Sequence, residues 1–114
     1  MKKGDDDLLR LQHIMSSIDF INKNIDRLEE SEFYQNELLK FAVLKHIEII
    51  GEAANFLSDD IITKYSEVEW AKIIGSRHYY VHAYFNINWV IVWETTQLDL
   101  PKLKNDINKI ISEL

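Results

Sequence analysis

The stretch RHYYVHAY, residues 77–84, concentrates side chains that can move protons and bind phosphate. It contains two of the four histidines and three of the five tyrosines of the chain, together with an arginine. A histidine titrates near neutral pH and suits proton transfer, and an arginine forks onto phosphate oxygens. Arg77 and His82 are therefore of the residue types needed to cleave an RNA phosphodiester bond with the 2′-OH as nucleophile, a reaction that requires no metal.

The spacing of these two residues constrains how they can meet. On a straight helix, positions five residues apart differ by about 140° around the axis. Either the helix breaks between Arg77 and His82, or the pair converges with its copy across a two-fold axis. The second alternative predicts one cleft per homodimer, with two arginines and two histidines. The spacing alone is also compatible with ordinary surface or interface residues.

Neighbouring positions offer further candidates. His78 and His82 share a helix face, and this spacing can ligate a metal, but the face provides no third ligand, so we expect no metal site. His78, Tyr80 and Lys72 are candidate RNA contacts. Tyr84 could bond a phosphate, stack on a base or accept a modification, or it could be an interface tyrosine with its hydroxyl in water.

The charge distribution separates this segment from the rest of the chain. A net charge of −6 argues against a generic basic nucleic-acid-binding surface, and we expect no DNA partner. Between Glu69 and Glu94, however, the sequence contains no acid, and its charged residues there are Lys72 and Arg77. A phosphate can be tolerated within this acid-free window.

Composition bounds the class of protein. The 114 residues predict one domain, spanning 1–114, and three glycines and one proline argue against a turn-rich β architecture. The absence of cysteine excludes disulfides and thiolate chemistry. Acids at positions 5–7 are untypical of a secretory signal, and the polar groups within residues 73–93 are untypical of a membrane span. We expect a cytoplasmic protein without a cofactor or a membrane contact.

Apolar residues recur at spacings of three and four, which predicts helices nearly throughout. Two long helices are expected at about residues 6–29 and 36–57, separated by a polar break, and a short turn is expected at 61–64. A capping-box pattern at Ser66–Glu69 predicts the start of a third helix. Asn86–Asn88 would precede a fourth, and Asp99-Leu100-Pro101 would begin a fifth. The expected fold is an all-α bundle of four to five helices.

Apolar side chains exceed what a bundle of this size needs. Residues 79–93 are rich in aromatic and β-branched types, and the predicted fourth helix is apolar nearly all round. Such a helix needs burial on every side. In a short chain, a homodimer interface is the economical explanation.

Several segments together resemble one known family, the HepT-type HEPN ribonuclease toxins that partner MNT-type minimal nucleotidyltransferases. The family motif R-x-x-x-x-H-x-Y is matched by Arg77, His82 and Tyr84. HIEIIGEAA, EWAKIIGSRHYYVHAYFNINWVIVW and LPKL resemble other family segments in the same order. The resemblance extends from about Asp7 to Ile110. One departure is His78, which stands where the family commonly has asparagine and which affects the proton assignments and the pH profile.

The resemblance implies a function. It implies a dimeric helical bundle with metal-independent endoribonuclease activity, in which Arg77 and His82 are the catalytic pair. It also implies a prokaryotic toxin–antitoxin pair in which the nucleotidyltransferase transfers AMP from ATP to Tyr84 and silences the toxin. A non-catalytic alternative is a binding module that docks the transferase and presents Tyr84. A third alternative is a purely structural homodimer.

Overall fold

A computed structural model of the protein describes the backbone of residues 6–82 and 86–114 and the side chains of 6–76 and 86–114. The described elements are α1 (Asp7–Ile25), α2 (Glu30–Gln35), α3 (Glu37–Asn55), α4 (Asp59–Lys64), α5 (Trp70–His82), α6 (Trp89–Glu94), a π-helical segment (Thr95–Asp99) and α7 (Leu100–Glu113). These ranges contain no β-strand. The predicted all-α architecture is confirmed.

The core forms where α3 packs between α1 and α5, with α7 on the other side of α1. Leu11, Ile14, Ile18 and Ile21 of α1 are fully buried. They recur at spacings of three and four and so form one apolar stripe. Since α5 packs against α3, the α1–α3 pair is the platform that positions the helix bearing the candidate site.

The predicted polar break after the first helix is a helix itself. Helix α1 ends at Ile25, earlier than expected, and Arg27 takes a left-handed conformation with φ 66°. Helix α2 then begins with a reciprocal capping box between Glu29 and Glu32. Its one buried residue, Phe33, is fully enclosed. Helix α2 therefore forms with one buried apolar residue and a capping box. It lacks the long apolar stripe from which a helix is predicted.

The predicted start of the third helix at Ser66 is wrong. Helix α5 begins at Trp70, and residues 65–69 form a turn. The carbonyl of Tyr65 accepts hydrogen bonds from the Val68 N–H at 3.1 Å and from the Trp70 indole N–H at 3.0 Å. Because Trp70 is buried, this turn is held from its C-terminal end.

The predicted fourth and fifth helices are one continuous helical run. As predicted, Asn88 caps α6, its side chain accepting from two backbone N–H groups. The π-helical segment joins α6 to α7, and the Leu100 N–H bonds to the Thr95 carbonyl, five residues earlier. Pro101, which has no N–H to donate, lies in the first turn of α7. The wide turn therefore lets the chain pass this proline without a break.

Candidate functional site

The two residues of the candidate catalytic pair lie on one unbroken helix. Helix α5 is continuous from Trp70 to His82 and so includes both Arg77 and His82. Of the two alternatives, a helix that breaks between them is therefore not observed. Their Cα positions differ by about 140° around the axis, as five residues of a regular helix require.

The helix register places Arg77 and His82 on different sides of α5. Arg77 follows Trp70 by seven residues and His82 follows Gly75 by seven, so each lies two turns further along the helix on the side of its predecessor. One α5 helix therefore separates the two candidates, although both belong to the same sequence motif.

Other predicted site residues lie partly or wholly outside the part of the chain that the structure describes. Tyr84 lies outside the described residues. His78 and Tyr80 are on the helical backbone of α5, but their side chains, like those of Arg77 and His82, lie outside the described part. Their expected roles stay predictions.

Lys72 is the one candidate RNA contact whose side chain is described. Its Nζ lies 3.3 Å from Asp99 Oδ1, in the π-helical segment, and 61% of the side chain is exposed. By register it is about 140° from Arg77, so α5 does not bring these two cations to one side. An exposed ion pair of this kind is weak, and Lys72 remains accessible to a phosphate.

A cleft of about 320 Å³ separates α5 from the run that contains α6 and α7. Its walls are largely apolar, with Ile50 of α3, Ile73 of α5 and Ile91 of α6 among them. Two ion pairs link its two sides, Lys72–Asp99 and Lys102–Glu69, the latter at 3.6 Å. The cleft combines residues from distant parts of the sequence, so no local pattern could have revealed it.

His46, to which the sequence assigned no role, contacts side chains of helix α1. His46 Nδ1 lies 3.0 Å from Ser17 Oγ, and its ring stacks on Phe20 with centroids 4.0 Å apart. Burial lowers the pKa of His46. These contacts join α1 to α3 and identify His46 as a packing residue.

Within the described residues, no three or more histidine, aspartate or glutamate side chains are arranged to hold a metal ion. No helix in those same ranges is long and apolar enough to cross a membrane.

An all-α domain whose fifth helix carries the arginine and the histidine of the sequence motif R-x-x-x-x-H-x-Y is the class defined by this fold and site. Residues 14–110 match a family model described as Ribonuclease HepT-like. The chain belongs to this HepT-like ribonuclease family, and its HEPN-like helical fold is confirmed.

Relatives in three organisms agree with the family assignment. "Putative RNase MJ0125" of Methanocaldococcus jannaschii is 34% identical over 104 residues, which cover 91% of this chain and 90% of the relative. "Putative RNase TTE0752" of Caldanaerobacter subterraneus is 31% identical over 103 residues, covering 90% and 92%. "Probable ribonuclease HepT" of Thermococcus cleftensis is 29% identical over 110 residues, covering 96% and 98%. No solved structure matches the chain.

Proposed function

We propose that this protein is the toxin of a toxin–antitoxin pair, a metal-independent endoribonuclease whose active site forms between two copies of the chain. The observation that carries the proposal is the unbroken helix α5, which separates Arg77 and His82 by about 140°. A second α5 related by a two-fold axis can face the first, so that arginine and histidine from different chains meet. Membership of the ribonuclease family supports RNA as the substrate, and we place the reaction in the cytoplasm.

The chemistry follows from the two residue types. The two His82 side chains share the roles of base toward the 2′-OH and acid toward the leaving 5′ oxygen. The two Arg77 side chains bind the scissile phosphate and stabilise the charge that develops on it. The products carry a 2′,3′-cyclic phosphate, or its hydrolysed form, and a 5′-OH. The acid-free window around these residues favours an anionic substrate there.

Gly75 supports a close approach of a second copy to α5. It is in the interior of the helix and exposed, and a Cβ built there would meet nothing within 4 Å. A glycine at an interior helical position costs about 1 kcal/mol relative to alanine. Since the described part of the chain leaves this position open, contact with another backbone would explain the glycine. Gly75 is on the same stripe as His82.

Silencing would act directly on this site. Tyr84 follows His82 by two residues. AMP transferred to its hydroxyl by the MNT-type nucleotidyltransferase adds bulk and negative charge beside the phosphate-binding residues. Accordingly, Tyr84→Phe should weaken silencing more than cleavage. An equal loss of both would instead make Tyr84 part of the catalytic machinery.

The first test is RNA cleavage in EDTA without the transferase. Wild type and His13→Ala should cleave, and His82→Ala should not, with all three folded to the same degree. His13 is a suitable control because it is an exposed histidine on α1. Cleavage that EDTA abolishes, or products with a 5′-phosphate, would contradict the mechanism. No cleavage by unmodified wild type would favour the non-catalytic docking module.

Mixing inactive variants tests the composite site. Arg77→Ala and His82→Ala, unfolded and refolded together, should form mixed dimers that retain one intact arginine and one intact histidine. We expect partial recovery of cleavage in the mixture and none in either variant alone. Mixed dimers that form but stay inactive would show either that one chain must supply both groups or that both copies of His82 are required.

A further inference from the structure

A second surface combines two exposed apolar side chains and two half-buried aromatic side chains with carboxylates. Its apolar part consists of Leu38 and Phe41 of α3, Trp89 of α6 and Tyr34 of α2. Because glutamates surround these side chains, we call the surface the acidic patch. Leu38 is 85% exposed and Phe41 is 45% exposed. The Phe41 ring meets the Trp89 ring edge-on at 5.1 Å between centroids. An exposed group of large apolar side chains is typical of an interaction site.

The aromatic centre of the acidic patch is held in place before any partner arrives. Lys40 is buried, with its Nζ 4.8 Å from the Trp89 ring centroid and 2.6 Å from Glu37 Oε1. Trp89 is thus fixed by a cation on its face and by Phe41 at its side. Rigid aromatic side chains of this kind commonly supply much of the binding energy at protein interfaces.

The charges around the acidic patch are mostly negative. Helices α2 and α6 and residues 37–48 of α3 carry five carboxylates, at Glu30, Glu32, Glu37, Glu48 and Glu94, against the two cations Lys40 and Lys45. Lys40 is already engaged by Glu37 and Trp89, and Lys45 Nζ lies 3.7 Å from Glu48 Oε1. The Tyr34 hydroxyl donates to Glu30 Oε1 at 2.6 Å, and burial, followed by Glu30 and then Glu94, raises the pKa of Tyr34 to about 12.

This charge pattern selects among possible occupants. RNA would bring phosphates toward the carboxylates, which is unfavourable. A second copy related by a two-fold axis would bring identical acids together. We therefore propose that the acidic patch docks another protein, through a segment that presents apolar side chains flanked by lysine or arginine. This proposal does not depend on whether the chain cleaves RNA.

The test uses two synthetic amphipathic peptides of about 18 residues, long enough to form a helix. Both carry the same leucine pattern, one flanked by lysines and the other by glutamates. We expect the lysine peptide to bind wild type, and to bind Leu38→Ser about tenfold more weakly, by calorimetric titration. Leu98→Ser is the matched control, because Leu98 is also exposed, at 69%, but lies in the π-helical segment. It should bind like wild type.

A further variant and the second peptide distinguish a protein partner from a second copy of the chain or RNA. Glu94→Gln should weaken binding of the lysine peptide and reduce its salt dependence, and the glutamate peptide should bind none of the proteins. Equal binding of the lysine peptide by wild type and Leu38→Ser, or no binding by wild type, would overturn the proposal. Loss of self-association in Leu38→Ser would also overturn the proposal and would assign the acidic patch to a second copy. Loss of RNA cleavage in Leu38→Ser would overturn it and assign the patch to RNA.

Discussion

Replacing Gly75 by alanine should stabilise the single folded chain. Gly75 is the sixth residue of α5, and an added Cβ would meet nothing within 4 Å. Alanine therefore gains its helical preference, about 1 kcal/mol, without a steric penalty. For a domain of this length, a gain of that size raises the melting temperature by about 4 °C.

The same substitution should weaken the proposed dimer. If two α5 helices approach closely at Gly75, a methyl group on each keeps the backbones apart. Gly75→Leu adds more bulk at the same position and should weaken association further. The two effects have opposite signs, and protein concentration separates them, because association raises the melting temperature as concentration increases.

The assay is thermal unfolding, followed by circular dichroism at increasing protein concentrations, with sedimentation to measure association. At the lowest concentration Gly75→Ala should melt above wild type, and its melting temperature should depend less on concentration. If Gly75→Ala melted below wild type at the lowest concentration, the added methyl group would be clashing, and the space around Gly75 would not be open. An unchanged concentration dependence would refute a close helix crossing at this residue.

Three further substitutions test the packing that supports α5. Asp7→Ala removes the hydrogen bonds that Asp7 accepts from the Ser58 N–H at 2.9 Å and the Ser58 hydroxyl at 2.6 Å, and should cost about 1–2 kcal/mol by urea unfolding. Phe33→Ala should cost about 3–5 kcal/mol in the same assay, because Phe33 is fully buried between α2 and α6. Burial lowers the pKa of His46 from 6.5, so its contribution to stability is complete above that pH and is lost as pH falls toward the folded-state pKa. His46→Gln should flatten that part of the stability–pH curve.

Elements with a long apolar stripe or a clear cap could be predicted from the sequence. The predicted stripe of α1 is buried at Leu11, Ile18, Ile21 and Ile25, although Leu8 at its start is exposed. Helix α3 runs from Glu37 to Asn55, inside the expected 36–57. The cap at Asn88 is also confirmed. In these segments, local preference and tertiary packing favour the same conformation.

The misses have a common physical origin, since local signals compete with contacts from distant residues. Ser66 has a capping-box pattern, but the bond from the Trp70 indole to the Tyr65 carbonyl favours a turn there. Helix α2 is stabilised by the burial of Phe33 against Trp93, at 5.1 Å between ring centroids. The cleft beside α5 and the acidic patch arise only when separate helices meet, so neither could be predicted from spacing.

Helix α6 connects the acidic patch to the cleft beside α5. Trp89 lies in the acidic patch, whereas Ile91, two residues later, lines the cleft beside α5. Two residues of a helix differ by about 200° around its axis, so opposite sides of α6 serve the two surfaces. A protein bound at the acidic patch would therefore leave the α5 side accessible, and any displacement of α6 would reach the cleft directly.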